Sequence, residues 1–192
     1  MRKNMVILLL TVALLLSGCG SGGEDLPEIP GWEDSWVRVG PLLGVAPLED
    51  FTLDDYEDSQ AVKGIYYATW VSGQAMEEEN DVKVYEAQIY LLMKKCEDSE
   101  EATTEIETWI GWEKEAYQTG AREIADISSQ EFWLYPLEET RNENHYSGGM
   151  AAFAVRDSWA ISVELLFRED HEGDARQIME DYLSCFRYCD AV

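Results

Sequence analysis

The sequence predicts an α+β fold, in which an antiparallel sheet of about five or six strands carries two amphipathic helices packed on one face. Three observations predict it. Residues 62–71 and 82–94 form two long segments rich in β-branched and aromatic residues. A hairpin pattern surrounds residues 157–158, and two other stretches repeat apolar residues at helical spacing. Because no Pro/Gly-rich break follows Pro47, residues 31–192 are predicted to form a single domain.

The first part of this domain is predicted to be largely irregular. Residues 31–47 are interrupted by Gly and Pro, which indicates an arm or a short edge strand. Residues 49–58 are acidic without the ligand spacing of an EF-hand, so they predict a solvated loop. The strands predicted at 62–71 and 82–94 are separated by about ten polar residues. That length is too short for a helical crossover, so the two strands are expected to pair antiparallel.

The first helix is predicted to begin after Asp98, with Glu101 in the capping-box position and Gly120 as its C-terminal stop. Glu113 falls inside the apolar stripe of this helix, where a carboxylate must be paired, protonated or directed to the rim. A structural interpretation pairs it with Arg122 or another basic residue. The functional alternative is a polar group at the floor of a ligand pocket.

The rest of the domain is predicted to contain short strands, a hairpin and a second helix. Residues 123–127 and 131–137 have strand composition, and the polar segment 138–149 indicates a rim or lid. Two alternating apolar runs flank the turn at 157–158, and the large residues after the turn face alanines before it. A helix or an aromatic side chain is therefore expected to pack closely there. Residues 173–188 predict the last helix.

Residues 1–18 have the pattern of a secretory signal, with a basic start followed by an apolar run too short to span a bilayer. The run ends Leu16-Ser17-Gly18-Cys19, which resembles the lipobox of bacterial lipoproteins. The resemblance implies cleavage before Cys19 and a covalent lipid on its thiol, so that the protein is anchored on the extracytoplasmic face of the cell membrane. Residues 19–30 are rich in Gly, Ser, Pro and acid and predict a flexible tether.

A second, weaker resemblance covers the C-terminal third of the chain. A short strand, a loop, a hairpin and a terminal amphipathic helix follow one another between residues 123 and 188, with Arg156-Asp157-Ser158-Trp159 at the hairpin turn. This order resembles exported α+β lipoproteins and receptor-kinase sensor domains. The resemblance implies a binding or sensing role without fixed catalytic residues.

The charge of the chain limits its partners. It has 39 acidic residues against 14 basic ones and a formal net charge of −25. Such a surface repels phosphate backbones and anionic lipid, so we expect no nucleic-acid binding and no membrane contact besides the lipid anchor. Cationic partners are favoured by the same field, although solubility alone also explains it.

The cysteines that follow the anchor are Cys96, Cys185 and Cys189. An exported protein permits disulfides, and a bridge from Cys96 to Cys185 or Cys189 and three reduced thiols are both compatible with the spacing. No His lies near them at ligand spacing, so we predict no metal site and no cofactor other than the covalent lipid.

The sequence contains no nucleophile elbow, zinc-protease, P-loop or dinucleotide-binding motif. The leading hypothesis is therefore a non-catalytic ligand-binding or sensing module of the cell envelope, and the question of an enzyme stays open. The alternatives are an accessory lipoprotein that docks an envelope protein and, third, a carboxylate-dependent hydrolase. Tryptophan is the one enriched residue type, with seven in the chain. The candidate ligand-binding residues are Trp70, Trp112, Glu113, Trp133 and Tyr146.

Overall fold

The computed structural model describes residues 29, 31–57, 64–73, 75, 77–79, 82–140, 146–168 and 174–189. The predicted signal peptide (1–18), the lipidation site Cys19 and nearly all of the predicted tether (19–30) lie outside these residues. Thirteen strands and two helices occur in the described chain. The strands are β1 (Val37–Val39), β2 (Leu43–Val45), β3 (Phe51–Glu57), β4 (Ile65–Ser72), β5 (Glu77–Glu79), β6 (Val82–Val84), β7 (Ala87–Lys95), β8 (Tyr117–Thr119), β9 (Glu123–Ile127), β10 (Gln130–Thr140), β11 (Gly148–Arg156), β12 (Trp159–Phe167) and β13 (Phe186–Tyr188). The helices are α1 (Ser99–Ala116) and α2 (Ala175–Ser184).

The centre of the fold is an eight-stranded antiparallel sheet. Its strand order is β3-β4-β7-β12-β11-β10-β8, and β9 also pairs with β10. The hairpin predicted around residues 157–158 is confirmed, because Arg156 pairs with Trp159 across a two-residue turn in which Asp157 has a φ of 53°. The predicted antiparallel pairing of the segments at 62–71 and 82–94 is also confirmed, as β4 and β7.

The predicted α+β class is wrong. The fold is sheet-rich, the main sheet has eight strands where five or six were expected, and the two helices do not share a face. The α2 residues Met179 and Tyr182 join one hydrophobic cluster, whereas the α1 residues Ile106 and Ile110 join another. Residues paired directly across strands share a face, so successive residues of β12 divide between the two clusters. The strand content is higher than predicted because many of the strands are short. Their pairing depends on distant partners, so the local pattern did not predict them.

A second, three-stranded sheet packs on the α2 side. Its order is β1-β2-β13, so a strand close to the C-terminal end of the described chain pairs with the first hairpin. The β1–β2 turn contains Gly40 at a φ of 57°, and a Cβ there would lie 2.8 Å from the ring of Tyr66. Only glycine meets both conditions. The region 31–47, expected as an arm, is thus an ordered hairpin.

Two predicted boundaries are wrong at helix ends. The last helix, predicted over 173–188, ends at Ser184, and the chain continues as β13. Its apolar positions after that point belong to the small sheet. The first helix ends at Ala116 and not at Gly120, because Tyr117 is extended and buried and opens β8.

The N-terminus of α1 follows its sequence signature. The Asp98 side chain accepts hydrogen bonds from the backbone N–H groups of Glu100 and Glu101, both at 2.9 Å. Glu101 accepts in return from the backbone N–H of Glu97 at 2.6 Å. The Asp98 contacts satisfy helix N–H groups that otherwise lack partners, so the predicted cap at Asp98 is confirmed. Glu101 reaches the N–H one residue before the cap, and not that of Asp98 as in a capping box. Within the described residues, no helix is long and apolar enough to cross a membrane.

The acidic segment 49–58 was expected as a loop, but much of it is the edge strand β3. Acidic side chains are compatible with an edge strand, because one side of the strand is unpaired and charge discourages further pairing. The register shifts between Leu53 and Asp55, which is typical of a bulge at a sheet edge.

Candidate functional site

A shallow, open cleft of about 330 Å³ lies where three distant parts of the chain meet. These are the turn between β9 and β10, the end of β11, and β13. The lining residues are Ser128, Ser129, Arg156, Phe186, Arg187 and Tyr188. They include two arginines, and none of these described lining residues is acidic. In a chain with 39 acidic residues, this is an unusual composition for a concave surface.

One part of the cleft lining is the two-residue turn between β9 and β10. Ser128 and Ser129 both have positive φ, 52° and 61°, which is the geometry that a tight antiparallel hairpin needs. The Ser128 hydroxyl donates to the backbone carbonyl of Leu183 at 3.1 Å. The turn is therefore fastened to the C-terminal end of α2, directly before β13.

The two arginines of the cleft are positioned by different contacts. The guanidinium carbon of Arg156 lies 3.9 Å from the ring centroid of Tyr188, a close cation–π contact. Arg187 donates from Nη1 to the carbonyl oxygens of Ser184 and Phe186, both at 2.7 Å. Neither guanidinium has a carboxylate partner among the residues that the structure describes.

Tyr188 contributes a hydroxyl whose oxygen is buried and has no hydrogen-bond partner in the described structure. Burial raises the pKa of this phenol, and the nearby charge of Arg156 opposes that rise only in part. The hydroxyl is therefore neutral and able to donate. An unpartnered buried polar group typically costs about 1–3 kcal/mol, and this oxygen is enclosed by protein atoms and not exposed at the cleft surface.

A second polar region lies between α1 and the main sheet, and it contains the predicted residue Glu113. The Glu113 carboxyl forms a hydrogen bond with the carboxyl of Glu164 on β12, and both side chains are half-buried. Burial raises the pKa of Glu113 to about 7. Burial and the neighbouring Glu113 also raise the pKa of Glu164 well above its ordinary value, so the two carboxyls share a proton.

The pairing of Glu113 with a basic residue, expected from the sequence, is therefore wrong. Arg122 lies over the ring of Trp133 instead, 5.3 Å from its centroid. A protonated carboxyl donates a hydrogen bond to the neighbouring carboxylate. A buried carboxylate can therefore be accommodated without a cation beside it.

Tyr146 belongs to the same polar region. Its hydroxyl donates to Oε1 of Gln88 at 2.6 Å and accepts from the backbone N–H of Tyr85 at 3.3 Å. Tyr90 lies between Tyr146 and Glu164, and its pKa is raised by burial first and then by these neighbours. The structure thus brings Glu113 and Tyr146, two of the five predicted ligand-binding residues, into one polar network, in which Tyr90 interacts electrostatically with Tyr146 and Glu164.

The three predicted tryptophans are not brought together with that network. Trp70 is 3% exposed in the core on the α2 side, where its ring meets the edge of Tyr182. Trp112 is 43% exposed on α1. Trp133 is half-buried, and its Nε1 donates to Glu131 at 3.1 Å. The four large apolar side chains that are most exposed, Trp32, Leu53, Trp112 and Ile124, lie on separate segments.

The cleft residues were missed by the sequence analysis. Arg156 was noted only as part of a turn, and Arg187 and Tyr188 were assigned to a helix. The composition contained an indication of them, because the chain has only 14 basic residues. An arginine without an obvious acidic partner on the same helix is a candidate binding group.

The described cysteines are all free thiols. Cys96 is buried in the cluster beneath α1, whereas Cys185 packs against the cluster on the α2 side of the main sheet. The bridge from Cys96 to Cys185 or Cys189 that the spacing allowed is not formed. Burial raises the pKa of both Cys96 and Cys185. Over the described residues, no group of three His, Cys, Asp or Glu side chains could hold a metal ion.

Comparisons with known proteins add little to this geometry. No family model matches the chain, and no curated protein matches it. The solution structure of cyanobacterial PsbP (CyanoP) from Synechocystis sp. PCC 6803 is similar, with a TM-score of 0.46 and 11% identity. The similarity covers 90% of this chain and 98% of that chain. At this TM-score and identity, the likeness carries no argument about function.

Proposed function

We propose that the chain is a lipid-anchored module of the extracytoplasmic membrane face that binds a small ligand in the arginine-lined cleft and catalyses no reaction. One observation carries the binding site. Arg156 and Arg187 line the same cleft of about 330 Å³ and take no carboxylate partner in the described chain, although acidic residues are abundant. Concave sites with a few convergent polar groups are the usual form of small-ligand sites.

A binding role is supported further by the state of the cleft hydroxyls. A catalytic serine needs an adjacent base that can take its proton. The Ser128 hydroxyl instead donates to backbone carbonyls at the end of α2, at 3.1 Å and 3.4 Å, and so serves to hold the turn. The guanidinium groups stay protonated and act as fixed charges.

The anchor is supported by the sequence Leu16-Ser17-Gly18-Cys19. Cys19→Ala tests it in cells by detergent partitioning and mass spectrometry of the recovered protein. We expect the parent protein in the detergent phase with the added mass of a lipid, and the variant in the aqueous phase. Cys185→Ala is the matched control, because it removes a thiol far from the lipobox. A variant that keeps both the partitioning and the mass of the parent protein contradicts the anchor.

Ligand binding is tested by amide-resolved NMR against a collection of small molecules that includes cations, neutral compounds and anions. We expect at least one compound to shift the backbone signals of Ser129, Arg187 and Tyr188 in a saturable way. The Trp112 indole signal is the internal control, because that side chain is exposed on α1 outside the cleft. A collection in which no compound shifts the cleft signals contradicts the binding site.

A further inference from the structure

We propose that the cleft recognises the oxyanion group of a small organic acid, with Arg156 and Arg187 as its two charges. This inference rests on the proposed function, because it names the class of ligand for the same site. Carboxylates and phosphate monoesters share the chemistry involved, namely adjacent oxygens that accept hydrogen bonds from a planar guanidinium.

Arg187 is prepared for such a contact. Its Nη1 is held by the carbonyl oxygens of Ser184 and Phe186, which fixes the plane of the guanidinium. An arginine has five N–H donors, so Nε and Nη2 remain to face an incoming anion. A side chain that is already ordered loses little further entropy when it binds.

Arg156 supplies the second positive charge at the cleft. Its stacking on the Tyr188 ring holds the guanidinium at the cleft, and Nη1 reaches Oε1 of Gln130 at the hydrogen-bond limit of 3.5 Å. Gln130 is itself held, since its Nε2 donates to the carbonyl of Val155 at 3.1 Å. Most donors of Arg156 are therefore not used within the described protein.

The contrast with Arg176 shows what these two arginines lack. Arg176 lies on the surface of α2 and pairs with the carboxylates of Glu123 and Glu180. Arg156 and Arg187 have carbonyl, amide and aromatic neighbours instead. Guanidinium donors that are held in place and have no carboxylate partner in the described chain are suited to bind an oxyanion from outside the chain.

The negative charge of the chain does not prevent this binding. At physiological ionic strength, charges separated by more than about 8 Å are largely screened, so the lining groups dominate the local field. The cleft also has room beyond an oxyanion alone. The expected ligand is therefore a compact organic acid with a ring or a short apolar body.

The experiment titrates the full chain with four probes at about 0.15 M salt, followed by NMR and calorimetry. Benzoate and phenyl phosphate carry an oxyanion and a ring, inorganic phosphate carries only the oxyanion, and benzamide has the shape of benzoate without its charge. We expect benzoate or phenyl phosphate to bind at least about tenfold more tightly than benzamide. The stronger of the two identifies the oxyanion, and weaker binding of inorganic phosphate shows that the ring contributes.

Substitutions test the named residues. Arg156→Gln and Arg187→Gln should each weaken binding of the stronger probe at least about tenfold, whereas Arg122→Gln should leave it unchanged. Arg122 is the matched control because it also lies over an aromatic ring but not in the cleft. Arg187→Lys keeps the charge without the fork and should weaken binding in the same direction.

The outcomes separate the two proposals. Equal binding of benzamide and benzoate at the cleft, unaffected by Arg187→Gln, overturns the oxyanion inference and leaves a ligand-binding cleft. If neither these probes nor the broader collection shifts the cleft signals, both proposals are overturned.

Discussion

The two faces of the main sheet are made by alternate residues of the same strands, yet they are buried in different ways. On the α2 side, Ile161, Val163 and Leu165 of β12 are fully buried in an aliphatic and aromatic cluster. On the α1 side, Glu164 lies on the same strand and is accommodated by a shared proton with Glu113. A shift of one residue along β12 therefore changes the surroundings of a side chain from an apolar core to a hydrogen-bonded network.

The largest expected effect comes from placing a carboxylate on the wrong face. Val163→Glu puts an acidic group among aliphatic side chains with no described polar partner, and should cost more than about 4 kcal/mol of unfolding free energy. The measurement is chemical denaturation at neutral pH. Val163→Ala is the control for lost volume alone and should cost about 1–3 kcal/mol. A Val163→Glu variant as stable as Val163→Ala would contradict the difference between the faces.

The next largest effect concerns the pH dependence of the unfolding free energy, to which Glu113 on the α1 side contributes. The folded pKa of Glu113, about 7, exceeds its ordinary value of 4.5, so the native state binds more protons than the unfolded state between these values. The stability that Glu113 contributes is full below about pH 4.5 and is lost as the pH rises toward 7, by up to about 1.4 kcal/mol per pH unit.

Glu113→Gln tests this dependence, because the amide imitates the protonated carboxyl. Unfolding free energies measured from pH 5 to 8 should show a flatter pH dependence in the variant than in the parent protein. Glu107→Gln on the exposed side of α1 should leave the slope unchanged. Parallel curves for Glu113→Gln and the parent protein would count against the shared proton.

A smaller effect distinguishes a hydroxyl on each face. Tyr146→Phe leaves Oε1 of Gln88 and the N–H of Tyr85 without their partner, and should cost about 1–3 kcal/mol. Tyr182→Phe on the α2 side removes a hydroxyl that has no partner, and should leave stability unchanged or raise it slightly. Thermal unfolding of both variants measures the difference. Equal losses would show that the two hydroxyls are equivalent.

The smallest expected effect concerns the helix N-caps, which occur on both sides of the main sheet. Asp98 caps α1 and Asp174 caps α2, each by accepting from two backbone N–H groups. Asp98→Ala and Asp174→Ala should each cost about 1 kcal/mol, whatever surrounds the helix they begin. Glu107→Ala is the control on the helix surface. Losses that differ between the two caps by more than about twofold would indicate that the surroundings matter.

Local patterns predicted the local parts of the fold. The hairpin β11–β12 and the cap at Asp98 depend on residues close in sequence, and both are confirmed. The strand β13 and the edge strand β3 were missed, because short strands are stabilised by partners far along the chain. The number of strands and the placement of two helices on opposite faces depend on those distant pairings and could not be read from periodicity.

The candidate sites show the same division. Periodicity correctly singled out Glu113 as an unusual residue, but its partner Glu164 lies on a distant strand and is also an acid. No rule of complementary charge could have found that pair. The cleft joins Ser128, Arg156 and Arg187 from three segments, so no continuous motif exists for it in the sequence.

The three-stranded sheet also has a mechanical consequence. Ile29 is buried against Gly44 of β2, and β13, which carries the cleft residues, pairs with the same strand. A pull on the chain before Ile29 therefore reaches β2 before it reaches the long strands of the main sheet. The strands of the three-stranded sheet are three residues long, so they should separate at lower force than the nine-residue pairs of β7, β12 and β11. In a single-molecule force ramp between residue 29 and the main sheet, the first rupture should release the small sheet and open the cleft.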